Sequence, residues 1–160
     1  MSAAGLFLVA CGRSSDTRDP TPPTIRWILR DLDTGAEQSF DGSGRTVVPE
    51  GHALRVILKS EAPGGIRRLR LDGEENWTCY GSGDVAQGGS AVIEAASTSY
   101  TSGQAPLSTF LIRNIVMPEW ECNPGLGNPS GSVIFKGKSE NFSAHIVKGS
   151  LTICDPRGCR

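Results

Sequence analysis

Residues 53–71, which read ALRVILKSEAPGGIRRLRL, decide the fold class of this chain. Apolar and other side chains alternate in both halves, with Leu54, Val56 and Leu58 on one face of the first and Leu69 and Leu71 on one face of the second. A period of two residues is typical of a strand that buries one side. The run SEAPGG between the halves turns the chain, and Asp72-Gly73 offers a further hairpin turn.

The same signal recurs outward in both directions. The first strand is predicted to begin at Thr24, and the segment 107–116 places Phe110, Ile112 and Val116 on one face. Stretches 81–90, 97–105 and 117–131 are predicted to be loops, the last carrying Trp120. No apolar pattern of helical spacing lasts for a dozen residues, whereas the 20 glycines and 10 prolines indicate many turns. The sequence therefore predicts an all-β antiparallel sandwich of about seven to nine strands.

The order strand, Gly64-Gly65 bend, strand and terminal Asp72-Gly73 resembles bacterial immunoglobulin-like and fibronectin-III-like domains. The resemblance implies an immunoglobulin-like sandwich, which we assign to residues 24–160. Residues 12–23, GRSSDTRDPTPP, contain no large apolar side chain and are interpreted as a flexible linker that stiffens at its prolines.

The first eleven residues end in Leu8-Val9-Ala10-Cys11 after a short apolar run. This motif resembles the lipobox of bacterial lipoproteins. The resemblance implies cleavage before Cys11 by signal peptidase II and a diacylglycerol on its thiol. The protein would then be anchored to the cell membrane through Cys11, facing outside the cytoplasm. No Lys or Arg precedes Cys11, so two alternatives stay open: a start upstream of Met1, or an ordinary cysteine in a secreted domain without lipid.

Five cysteines are an odd number, and lipidation of Cys11 would leave four for pairing. Cys79 and Cys122 each follow a Trp by two residues, so the preferred pairing is Cys79–Cys122 with Cys154–Cys159. On the chain-entropy model, the Cys79–Cys122 disulfide would stabilise the fold by roughly 4 kcal/mol, because it closes a long loop, and Cys154–Cys159 by about 2 kcal/mol. The alternative is free thiols in a reducing cytosol.

Charge argues against one class of partner. Sixteen basic and seventeen acidic residues give a net charge of −1 without a block of either sign. Nucleic acid calls for a concentrated basic face, so we expect no nucleic-acid partner. The same balance leaves the lipid as the only membrane anchor that the sequence indicates.

The sharpest enzyme motif is Asp33-Thr34-Gly35-Ala36, which resembles the catalytic loop of retroviral-type aspartic proteases. The resemblance implies that Asp33 acts as a catalytic carboxylate, paired with a second copy. The structural interpretation is a turn that Asp33 caps and in which Gly35 adopts a positive φ.

Metal chemistry has weaker support in the sequence. The segment with Asp31, Asp33 and Gly35 is similar to the start of a calcium-binding loop but lacks the later ligands of that loop. A calcium site there could also use Asp72, Glu74 or Glu75 as ligands. His52 is interpreted as a solvated loop residue and His145 as a packing residue near a strand start.

We therefore expect no catalytic, cofactor-binding or metal-binding residues. The function predicted is that of a non-enzymatic interaction or structural module of the cell envelope, which binds a protein or a carbohydrate through the sandwich loops. The alternative is an aspartic peptidase that uses Asp33.

Overall fold

A computed structural model of the chain describes residues 19–81 and 85–158. Its elements, in chain order, are β1 (Thr24–Asp31), β2 (Glu37–Asp41), β3 (Gly44–Val47), β4 (Ala53–Glu61), β5 (Ile66–Tyr80), β6 (Val85–Ser99), a 3₁₀ turn (Ser102–Gln104), β7 (Ser108–Val116), β8 (Ser130–Asn141) and β9 (Ile146–Cys154). Sheet A has the order β2-β1-β4-β7, and sheet B has the order β3-β9-β8-β5-β6.

The predicted fold class is confirmed. Two sheets of four and five strands form an all-β sandwich, and the first strand begins at Thr24 as predicted. Every pair of neighbouring strands is antiparallel except β3 and β9, which run parallel. β3 and β9 can run parallel because the connection between them is long and contains β4 to β8.

The core lies between the inner faces of the two sheets. The alternation read from the sequence defines it, since β4 buries Leu54, Val56 and Leu58 and leaves the residues between them only half-buried. The other large, fully enclosed side chains of the core are Trp27 on β1, Ile66, Leu69 and Leu71 on β5, Met117 after β7, Val133 and Phe135 on β8, and Leu151 and Ile153 on β9. Burial of these apolar surfaces is the main favourable term in folding.

Each of the three tryptophans lies against a glycine. A Cβ atom at Gly137 would approach Trp27, one at Gly89 would approach Trp77, and one at Gly131 would approach Trp120. Gly89 and Gly131 are the register partners of Trp77 on the two neighbouring strands. The rings of Trp77 and Trp120 therefore lie on the same face of sheet B, the inner face, which also carries Cys79.

Two predictions on sheet B were wrong. The turn predicted at Asp72-Gly73 is absent, because β5 continues through it to Tyr80. A shift in the β5–β6 register between Leu71 and Gly73 places two β6 residues opposite Asp72, which is a β-bulge. The loop predicted at 81–90 is largely strand, because the Gly-rich start of β6 pairs with the end of β5.

Candidate interaction surface

An apolar row crosses the outer face of sheet A. Ile28 of β1 stands opposite Ile57 of β4, which stands opposite Ile112 of β7. On β7 the same face carries Phe110 and Val116, which are 60% and 62% exposed, and Ile112 is 39% exposed. We call these five residues the apolar row.

The row is exposed because β7 is apolar on both faces. Leu111 and Ile115 pack against the core, so the alternate set must point outward. The sequence placed Phe110, Ile112 and Val116 on one face correctly, and the structure turns that face to solvent. Large exposed apolar patches on a folded domain are a usual sign of an interaction site, which makes this face the candidate surface.

Basic side chains flank the row, and all but one pair with a carboxylate. Arg26 contacts Asp41 at 2.7 Å, Arg30 contacts Glu37 at 2.6 Å, and Lys59 contacts Glu61 at 2.5 Å. Arg55 is different: its Nε donates to Oδ1 of Asn114 on β7 at 3.1 Å. None of the ion pairs in residues 19–81 and 85–158 involves Arg55. Its charge is therefore available to a bound partner.

The row ends at an unprotected sheet edge. In the described part of the chain β7 pairs with β4 alone, so no strand is hydrogen-bonded to its second side. Charged side chains, prolines and bulges normally protect such edges. The sequence of β7, STFLIRNIV, contains a single charged residue, Arg113. Its side chain turns away to donate to the carbonyls of Glu94 and Ala95 on β6, at 2.9 and 2.7 Å.

The predicted Asp31–Asp33 cluster holds a turn together. Oδ1 of Asp31 accepts the amides of Asp33 and Thr34 at 2.9 and 3.0 Å, and its Oδ2 lies 2.7 Å from Nδ1 of His52. Oδ2 of Asp33 accepts the amide of Ala53 at 2.7 Å. The cluster thus ties the β1–β2 turn to the start of β4.

The hydrogen bonds of this cluster lower the pKa of one carboxyl group. The His52 ring and the amides of Thr34 and Asp33 lower the pKa of Asp31 to about 2. Possible ligand atoms of Asp31, Asp33 and His52 lie within 4.8 Å of one another, a spacing that suits a cation. The same oxygens already accept the bonds that shape the turn. His52 is half-buried and bound to Asp31, so its interpretation as a solvated loop residue was wrong.

The turn around the Asp-Thr-Gly motif matches the structural interpretation only in part. Gly35 has a φ of 76°, as predicted. The cap of the turn is Asp31 rather than Asp33, because the Asp31 carboxylate accepts the turn amides.

The other acids considered for calcium lie elsewhere. Asp72 and Glu74 stand on β5 in sheet B, where they contact Arg70 and Lys136. The structure does not bring them to the Asp31 turn, which belongs to sheet A.

The remaining predicted residues fall into three groups. Trp120 is only 7% exposed and belongs to the core, which removes it as a ligand-binding side chain of the 117–131 loop. His145 precedes β9 as predicted, but it is exposed rather than packed. A disulfide joins Cys79 to Cys122, as predicted. Cys11 and Cys159 lie outside the described residues, so lipidation and the Cys154–Cys159 pair stay predictions.

Three comparisons with known proteins add little. No family model matches the chain, and no curated protein matches it. Among solved structures, the chain is similar to Spo0M, a sporulation control protein from Bacillus subtilis. The TM-score is 0.40, with 11% identity, over 84% of this chain and 49% of that chain. The chain spans about half the length of Spo0M, and at this TM-score we draw no conclusion from the likeness. No helix among the described residues has the length and apolarity to cross a membrane.

Proposed function

We propose that this protein is a lipid-anchored, non-enzymatic interaction module of the bacterial cell envelope. Its immunoglobulin-like sandwich hangs outside the cytoplasm from a diacylglycerol on Cys11. The observation that carries the interaction role is the apolar row, which crosses the outer face of sheet A and ends at the edge strand β7.

The chemistry of this edge selects a class of partner. An extended segment of an envelope protein would add a strand beside β7 and bond to its unpaired backbone groups. Apolar side chains of that segment would cover Phe110 and Ile112. A carboxylate of the same segment would pair with Arg55, which donates to the amide oxygen of Asn114 and is in no ion pair of the described residues. We favour this face over the loops proposed from the sequence, because Trp120, the side chain singled out in the 117–131 loop, is buried.

The anchor is tested by the intact mass of the mature protein from membrane fractions, with and without reduction. We expect a chain that begins at Cys11 and carries acyl groups. Reduction should then add the mass of the hydrogens of two disulfides. A chain that retains its first ten residues and stays in the cytosol would refute the anchor.

The surface is tested by a photo-cross-linking amino acid at position 112 in cells, with position 134 on the outer face of sheet B as control. We expect an adduct of defined mass at 112 that is missing at 134. Arg55→Glu should abolish it, because a negative charge there would repel the partner's carboxylate. An adduct of twice the chain mass would instead identify a second copy, and equal adducts at both positions would refute a specific surface.

The peptidase alternative is tested by Asp33→Asn. On the peptidase hypothesis this substitution abolishes peptide hydrolysis, because the paired carboxylates must share a proton. We expect the purified chain and the variant to show no difference in peptide hydrolysis. The Asp33 carboxylate accepts the Ala53 amide and serves the turn.

A further inference from the structure

Three basic side chains stand in one row on the outer face of sheet B. Lys148 of β9 lies directly opposite Lys138 of β8, and Lys138 lies directly opposite Arg70 of β5. Lys148 and Arg70 are exposed, and Lys138 is half-buried between them. We call Arg70, Lys138 and Lys148 the basic row.

Such an arrangement is unfavourable unless something compensates the charge. Like charges at directly opposed positions destabilise a sheet. Asp72 compensates Arg70, since its carboxylate oxygens accept from the guanidinium at 2.8 to 2.9 Å. No ion pair in the described ranges, 19–81 and 85–158, reaches Lys138 or Lys148.

Two further acids of this face already pair with cations, whereas the exposed Glu94 on β6 is in no ion pair of the described residues. Glu74 contacts Lys136 at 3.0 Å, and Glu140 contacts Arg67 at 3.0 Å. Arg68, beside the row, donates to the hydroxyl of Ser99 at 3.4 Å. The face therefore holds an excess of positive charge that the protein itself does not neutralise.

Two shallow clefts of about 450 and 420 Å³ flank Lys138 and would admit anionic groups. Hydroxyls line both clefts beside the cations, with Ser150 in the first and Ser97 and Ser99 in the second, and the Asp72 carboxylate, which pairs with Arg70, also lines both. Ammonium, guanidinium and hydroxyl donors together suit the oxygens of phosphate groups.

The described chain begins beside the end of β8. The side-chain amide of Asn141, at the end of β8, donates to the carbonyl of Thr21 at 2.9 Å. The hydroxyl of Ser143 donates to the carbonyl of Asp19 at 3.2 Å. Asn141 is three residues beyond Lys138 on the same strand. Asp19 is eight positions after Cys11, and a fully extended chain of that length spans at most about 28 Å. An anchor at Cys11 would therefore keep the end of β8, three residues from Lys138, within reach of the membrane.

We propose that the basic row docks on anionic phospholipid headgroups and holds the anchored domain with sheet B against the membrane. The inference rests on the proposed lipid anchor and adds a second attachment to it. One acyl-bearing site with a basic patch binds a membrane more firmly than either alone. The outer face of sheet A, with its apolar row, would then point away from the membrane toward a partner. No pattern in the sequence indicates this row, because its members come from three separate strands.

The test uses the full, unlipidated chain, so that it does not depend on acylation. Sedimentation with vesicles of phosphatidylglycerol and phosphatidylcholine, at low salt, measures a partition coefficient. Each basic residue near an anionic surface contributes about 1 kcal/mol, or about fivefold in binding. We therefore expect Lys138→Ala with Lys148→Ala to lower the partition coefficient by about 25-fold, and binding to weaken as salt rises.

The matched control is Arg26→Ala with Lys59→Ala, which removes two directly opposed cations from the outer face of sheet A. We expect it to lower the partition coefficient less than twofold. Equal losses in the two double variants, or equal binding to vesicles of phosphatidylcholine alone, would overturn the proposal. Displacement from the vesicles by inorganic phosphate, but not by chloride at the same ionic strength, would indicate a small-anion site and would also overturn it. Failure here with acylated Cys11 in the intact mass would leave the proposed anchor standing.

Discussion

At the scale of single residues, Gly137 shows how tightly the core is packed beneath Trp27. A Cβ atom there would lie 2.9 Å from Cδ1 of Leu58 and 2.9 Å from Cζ2 of Trp27, both of which are fully buried. Neither ring nor branched side chain has space to move, so we expect Gly137→Ala to lower the free energy of unfolding by about 1–3 kcal/mol. Chemical denaturation followed by tryptophan fluorescence measures the loss.

The matched substitution is Gly103→Ala, since a Cβ atom at Gly103 has no neighbour within 4 Å. We expect its effect to stay within about 0.5 kcal/mol. Equal stability of the two variants would contradict the packing described for Trp27.

The Asp31 turn gives a prediction on pH. Because its pKa falls to about 2 in the folded state, from an ordinary value of 3.8, the charged carboxylate stabilises the fold. That contribution is complete above about pH 4, near the unfolded pKa, and is lost as the pH falls through 2. We expect Asp31→Asn to be less stable than the parent at pH 6, with a difference that shrinks below pH 4. Unfolding in urea at several pH values checks this, and a difference of constant size would contradict it.

At the scale of elements, Arg113 joins the edges of the two sheets. Its guanidinium donates to the carbonyls of Glu94 and Ala95, which the bulge opposite Asp72 presents. Bonds from a charged donor are stronger than neutral ones. We expect Arg113→Ala to speed amide exchange in β6 around residues 93–96 and to cost about 1 kcal/mol of stability. Amide hydrogen exchange with residue resolution measures the local effect.

The control for this element is Arg68→Ala, because Arg68 reaches β6 through the Ser99 hydroxyl and not through a carbonyl. Exchange in β6 should change little in that variant. If both substitutions speed exchange equally, the bulge does not depend on Arg113.

The strands that the sequence predicted well are those with one apolar and one polar face. β1 and β4 come near this class, because the outer face of each carries charged residues around a single isoleucine, and only one register buries Trp27, Leu54 and Val56. β7 does not, since Leu111 and Ile112 are both apolar and a period of two cannot say which is buried.

Sheet B shows the other limit of sequence patterns. Asp72-Gly73 has the local chemistry of a turn, but the pairing of β5 with both β6 and β8 converts it into a bulge. Gly88 and Gly89 have no side chain to signal a strand, and the Trp77 ring covers the second of them. Both surfaces proposed above were beyond the sequence, because each needs the register of three strands.

At the scale of the whole molecule, the sandwich separates two chemistries on opposite sides. The apolar row lies on the outer face of sheet A, and the basic row lies on the outer face of sheet B. The core between the sheets holds them together, so that the two rows face in opposite directions. A membrane and a partner could thus be bound at once without competing for the same surface.

The Cys79–Cys122 disulfide is the covalent part of that arrangement. It closes 43 residues, from the end of β5 to the loop that places Trp120 over Gly131. The chain-entropy model gives about 4 kcal/mol for a loop of this size, which is a large share of the roughly 5–15 kcal/mol that stabilises a typical domain. We expect Cys122→Ala to lower the free energy of unfolding by about 4 kcal/mol, as measured in guanidinium chloride. Cys79→Ala should cost more, because the Cys79 side chain is fully buried and its removal also leaves a cavity. A loss below about 1 kcal/mol in Cys122→Ala would mean that packing alone holds the Trp120 loop in place.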